Sequence, residues 1–119
     1  MKSYTDIKQS AQLALLLPTE SADMWWSKNF IYYNPTAAIG ISAEYSDVYT
    51  YKFGEDDIPC WSLSALLDVM QEPELIKNSN GTWLIRVWYN RYPWSRGGYN
   101  NPVDACYEMI LKLHEQKLL

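Results

Sequence analysis

Asn101-Pro102-Val103-Asp104-Ala105-Cys106-Tyr107-Glu108-Met109-Ile110-Leu111-Lys112-Leu113 is the stretch whose reading decides the fold. Pro102 suits the first position of a helix, where its missing N–H has no intrahelical partner to lose. Asn101 can cap the free donors, and Asp104 places a carboxylate in the electropositive first turn. Val103, Cys106, Ile110 and Leu113 recur at three and four, and Tyr107 and Met109 widen the apolar stripe to the breadth of a core-facing helix. Such a helix needs an apolar face to close on, and the residues before it supply one.

Residues 82–92 form the longest strand candidate. Trp83, Ile85, Val87 and Tyr89 fall on one side, and Leu84, Arg86, Trp88, Asn90 and Tyr92 on the other; the first set is expected to face the helices. Pro93 is expected to stop the strand, leaving 94–99 as a loop in which Gly97 and Gly98 can take positive φ. Upstream, Asn78-Ser79-Asn80-Gly81 has the chemistry of a tight turn. Before it, Ser62 is positioned to cap a helix whose buried stripe is Leu63, Leu66, Leu67 and Met70, closed by Pro73.

Residues 30–33, 37–41 and 48–53 are rich in aromatic and β-branched side chains and read as strands. The acidic stretch 54–57 lacks the alternating oxygen ligands of a calcium loop and reads as a solvated turn. At the start, Ser3 as cap and Asp6 three residues on predict a helix with Tyr4, Ile7, Ala11, Ala14 and Leu15 inward, ended by Pro18. Residues 19–24 then offer a short helical turn that would set Met24, Trp25 and Trp26 against it. The order predicts an α+β two-layer domain, a small antiparallel sheet of about four strands packed on about three helices, in one globular domain spanning 1–119.

Composition narrows the function classes. The chain is 48% hydrophobic and 15% aromatic, enough for a sizeable core, and its formal charge of −4 offers no surplus of cations for phosphate. Nucleic acid is therefore not an expected partner. The longest apolar run, 13–17, is too short for a membrane span or signal peptide, and two cysteines in apolar helical settings point to a reducing compartment. A cytoplasmic protein without membrane contact is expected.

No reaction is legible. His114 is the single histidine, and Cys106 lies eight residues before it, about 12 Å of helical rise, too far for a Cys–His pair. Cys60 beside Trp61 reads as core. Asp104 and Glu108 share a helix face, but carboxylates at a helix start have a sufficient electrostatic reason to be there. Ser62 and Ser64 lack a glycine-flanked elbow, and Arg96-Gly97-Gly98 lacks the lysine of a phosphate loop. No catalytic residue, metal site or cofactor is expected.

Two segments, Pro59-x-Trp61-Ser62-Leu63-Ser64-Ala65-Leu66-Leu67 and Asn101-Pro102-Val103-Asp104-Ala105-x-x-Glu108-Met109-Ile110, resemble a set of small proteins of Bacteroides-type gut bacteria and their phages and mobile elements. Thr19-x-Ser21-Ala22-Asp23-Met24 resembles an early segment of the same set. The resemblance implies a setting, bacterial or phage-infected cytoplasm, and a role in mobile-element biology. It carries no activity.

The constellation with binding chemistry is Arg86, Trp88, Arg91, Tyr92, Trp94, Arg96 and Tyr99. Arginine, tryptophan and tyrosine supply most of the binding energy at protein interfaces, and they also stack on sugars. The expected function is a non-enzymatic protein-interaction module, binding an unknown protein partner or its own copy through this surface. The alternative is a small-ligand, carbohydrate-type binder with Trp94 and Tyr99 as a stacking platform. Against both stands a purely structural account, in which the second sheet face is simply covered.

Overall fold

The computed structural model describes residues 1–27, 30–33 and 57–119. Among them are three α-helices, α1 (Ile7–Ala14), α2 (Leu63–Asp68) and α3 (Pro102–Glu115), and six strands: β1 (Met24–Ser27), β2 (Phe30–Tyr33), β3 (Ile58–Cys60), β4 (Glu74–Lys77), β5 (Trp83–Tyr89) and β6 (Tyr92–Tyr99). The fold is α+β and its strands pair antiparallel, as expected. They lie in two three-stranded sheets, ordered β2-β1-β3 and β4-β5-β6. The expected strands at 37–41 and 48–53, and all but Asp57 of the acidic turn, lie outside the described residues.

The chain divides into two compact units, Asp6–Trp61 and a second made of Met1–Thr5 with Ser62–Leu119. In the first, α1 starts at Asp6 rather than Ser3. Asp6 accepts the Gln9 N–H at 2.7 Å and the Gln9 side chain accepts the Asp6 N–H at 3.2 Å, a reciprocal capping box. The inward residues are Ser10, Leu13 and Leu17; Ile7 and Leu15, expected inside, are 37% and 79% exposed. The expected helical turn forms as a single 3-10 turn at Thr19–Ser21 but stops short of Met24, which with Trp25 and Trp26 belongs to β1. Met24 and Trp25 are buried, Trp25 stacks on its cross-strand partner Tyr32 at 5.5 Å, and Trp61 donates its Nε1 proton to Ser21 Oγ at 2.9 Å.

In the second unit α3 forms as its sequence requires. Asn101 Oδ1 accepts the Asp104 N–H at 2.8 Å, Pro102 occupies the first turn, and Val103, Cys106, Met109, Ile110 and Leu113 are fully buried. Its C-terminus closes through the Lys117 N–H to His114 O and the Leu118 N–H to Leu113 O, with Lys117 at φ +60°. Ser62 caps α2 by accepting the Ala65 N–H, and α2 contributes Ala65 and Leu66 to the core, with Met70 just beyond it. Helix α3 packs on β5, β6 and α2. The N-terminal residues join this unit: Ser3 O accepts the Leu63 N–H at 3.1 Å, Tyr4 bridges Ser62, and Lys2 pairs with Asp104 at 2.9 Å.

Pro93 does not end the strand. Asn90 and Arg91, at φ +53° and +64°, make a two-residue hairpin turn, and β6 runs back along β5 from Tyr92 to Tyr99. A two-residue turn with positive φ at both positions matches the twist of the flanking strands, and it makes Tyr89↔Tyr92 a hydrogen-bonded pair. The next pair, Trp88↔Pro93, is then of the kind that exchanges no main-chain hydrogen bonds, so proline loses nothing there.

Candidate functional site

The sheet β4-β5-β6 and the turn between β5 and β6 carry all the candidate binding residues, and the register decides which of them meet. On β5, Ile85, Val87 and Tyr89 are buried beneath α3, so Leu84, Arg86 and Trp88 take the outer face. Residues directly opposite in an antiparallel pair share a face. Trp94 stands opposite Val87, Arg96 opposite Ile85 and Tyr92 opposite Tyr89; all three therefore lie on the side of α3, away from Arg86 and Trp88.

Tyr99 joins the inner group through a bulge. It lies three positions after Arg96, which in a regular strand would put the two on opposite faces. Between the pairs Ile85↔Arg96 and Trp83↔Tyr99, however, β6 holds one residue more than β5. Gly98, at φ +87°, takes up the extra residue. Tyr99 thus returns to the face of Arg96, and Arg96 Nε donates to the Tyr99 hydroxyl at 3.2 Å. That hydrogen bond raises the Arg96 guanidinium above its ordinary value against the opposing effect of burial, with lesser help from the charges of Tyr99, Glu108 and Glu115. Nearer the turn, Tyr92 meets Trp94 edge to face at 5.4 Å between centroids, and Tyr92 is 62% exposed.

On the outer face a single carboxylate organises the cluster. Glu74, opposite Arg86 on β4, approaches Arg86 Nη1 at 3.6 Å and accepts the Trp88 Nε1 proton at 3.3 Å. Both side chains of the ion pair stay wet, 39% exposed for Arg86 and 50% for Glu74, so the pair orients more than it stabilises. Leu84 and Trp88 are half-buried, and Ile76, opposite Leu84, is exposed. Gly97 keeps this surface low: a Cβ there would come within 3.3 Å of Leu84 Cδ1.

The seven predicted residues therefore form two groups and a turn. Arg86 and Trp88 belong to the outer face, Tyr92, Trp94, Arg96 and Tyr99 to the inner one, and Arg91 sits exposed in the hairpin turn. The expectation of one continuous surface rested on ending the strand at Pro93, which would have left 94–99 free to extend the outer face. Sequence reading also missed Glu74 and Ile76. The signal was only the brief alternation in Glu74-Leu75-Ile76-Lys77, a strand of four residues.

Asp104, Ser62 and both cysteines are engaged structurally. Asp104 binds Lys2 and accepts from Asn101 Nδ2 at 2.8 Å, and Ser62 serves as a cap. Cys60 and Cys106 are buried as thiols, and burial pushes Cys106 up from 9.0 to about 12. His114 is exposed in the last turn of α3. Among the described residues no helix is long and apolar enough to cross a membrane. Comparison with protein-family models, curated proteins and solved structures gives no match.

Proposed function

We propose that the chain is a non-enzymatic protein-interaction module of a phage or mobile element, acting in the cytoplasm of a Bacteroides-type bacterium. Its binding surface is the outer face of β4-β5-β6. The origin and setting rest on the resemblance of the capped segments beginning at Pro59 and Asn101. The binding role rests on one observation: Arg86 and Trp88 stand two residues apart on β5, both oriented by Glu74, among the apolar side chains of Leu84 and Ile76. A half-buried indole beside a solvated guanidinium, already held in place, loses little side-chain freedom on binding.

The test is capture from host and phage-infected lysates with wild type, Trp88→Ala and Arg86→Ala, followed by titration of the purified captured protein. A partner that binds wild type and loses about tenfold or more in affinity to each variant supports this surface. Equal affinity for all three proteins counts against it.

A second reading has its own observation. The exposed Tyr92, edge to face with Trp94, is an aromatic platform of the kind that receives a carbohydrate-type ligand, with Arg96 and Tyr99 further along the same face. A glycan screen followed by tryptophan fluorescence separates the two. Quenching abolished by Trp94→Phe and untouched by Trp88→Phe selects the platform, whereas no response to any glycan removes it.

A further inference from the structure

Among the described residues, β6 is the outer strand of its sheet and its outer edge is unpaired. Tyr92, Pro93, Ser95, Gly97 and Gly98 are exposed, and among the described residues no other element bonds to this edge through the main chain. Pairs in a hairpin alternate between hydrogen-bonded and open, so counting from Tyr89↔Tyr92 makes Trp88↔Pro93 and Arg86↔Ser95 open pairs, whose main-chain groups point away from the partner strand. Two facts agree with this count. Pro93, which has no N–H, sits at such a position, and the Trp88 N–H turns from β6 to bond Gln71 O at 3.2 Å.

We propose that β6 pairs antiparallel with β6 of a second copy of this chain, about a two-fold axis at Ser95. In that register Ser95 exchanges N–H···O bonds with its counterpart, and each Gly97 N–H reaches the Pro93 carbonyl of the other copy. Pro93 is then used only as an acceptor, the one main-chain role it has. Trp94 faces Arg96 of the second copy in a close, non-hydrogen-bonded pair, which sets a guanidinium against an indole on each side of the axis. Other registers do worse: an axis at Pro93 aligns two residues without donors, and an axis at Gly97 draws the positive-φ Gly98 into the ladder.

The same residues bound the pairing. Pro93 and the Gly98 bulge interrupt the edge on either side of Ser95, so it suits one short isologous contact and not open-ended stacking. The opposite edge, β4, is only four residues long and carries exposed Glu74 and Lys77. The proposed pair leaves Arg86 and Trp88 on the outer face, so it stands or falls separately from the binding surface above.

Sedimentation equilibrium of the full chain is expected to show twice the 13.9 kDa monomer mass at micromolar concentration. Ser95→Pro removes only an outward-facing donor and is expected to weaken the dimer about tenfold or more; Trp88→Ala is expected to leave it unchanged. Trp94→Lys places like charges across the axis and Arg96→Glu removes the cation, so each alone is expected to be monomeric. An equimolar mixture of the two pairs the new ammonium with the new carboxylate and is expected to recover the dimer. In the unaltered chain, the Ser95 and Gly97 amides are expected to exchange more slowly as concentration rises, a readout that needs no variant to fold. A wild type monomeric throughout, a dimer indifferent to Ser95→Pro, a mixture of folded variants that stays monomeric, or exchange independent of concentration overturns the pairing.

Discussion

Cys106 shows how burial alone sets the chemistry of a side chain. It is fully buried in α3, and its thiol is pushed to about 12 because the low-polarity surroundings penalise a thiolate. The folded value lies above the unfolded one of 9.0, so below pH 9 the thiol is neutral in both states and its contribution to stability is complete. Above pH 9 the unfolded chain gains by ionising and the folded chain does not, and that stability is lost progressively up to about pH 12. We expect the difference in urea-derived stability between wild type and Cys106→Ala to shrink by about 1 kcal/mol per pH unit in this window. A difference that stays constant with pH would show that the thiol is not held neutral by its surroundings.

At the scale of elements, the bulge in β6 is a defined point of weakness. Gly98 lies at φ +87° with open space where a Cβ would stand, so a substitution there meets no neighbour and suffers only the backbone strain. Gly98→Ala should therefore cost about 1–2 kcal/mol, read as a lower urea midpoint with unchanged slope. Loss of the Arg96–Tyr99 hydrogen bond in its structure would show that the bulge had shifted, while unchanged stability would mean that no strain resides there. The elements legible from sequence were those with complete local signals: Asn101 and Pro102 for α3, Ser62 for α2, and the alternation around Ile85 and Val87 for β5. The others carried ambiguous signals. Pro93 reads as a stop unless the register that gives it an open position is known, and the stripe expected to face inward on α1 is not the buried one, which runs through Ser10, Leu13 and Leu17. For the candidate surface, the residue types could be picked out locally. Their division between two faces depended on the turn at Asn90 and Arg91, which lacks the glycine that usually marks such a turn.

At the scale of the whole molecule, sequence neighbours and structural neighbours part company at both ends of the first unit. Met1–Thr5 belongs with the unit that contains α2 and α3, through Lys2, Ser3 and Tyr4 and with Thr5 fully buried. Deleting these five residues should destabilise that unit by about 2 kcal/mol or more, since it removes main-chain hydrogen bonds and a buried side chain together. Lys2→Ala, which removes a partly exposed ion pair, should cost no more than about 1 kcal/mol. Hydrogen exchange over α3 and β5 measures both, and undiminished protection in the truncated chain would argue against the assignment.

That arrangement also gives synthesis on the ribosome a direction. The carboxylate that receives Lys2 lies 102 positions later, so this ion pair waits for α3 to be made. At translation speeds of about 5–20 residues per second, that is roughly 5–20 seconds after the lysine itself is made. The unit that holds Met1–Thr5 is thus completed only after all of Asp6–Trp61 has been made, and the Lys2–Asp104 pair is among its later contacts to form.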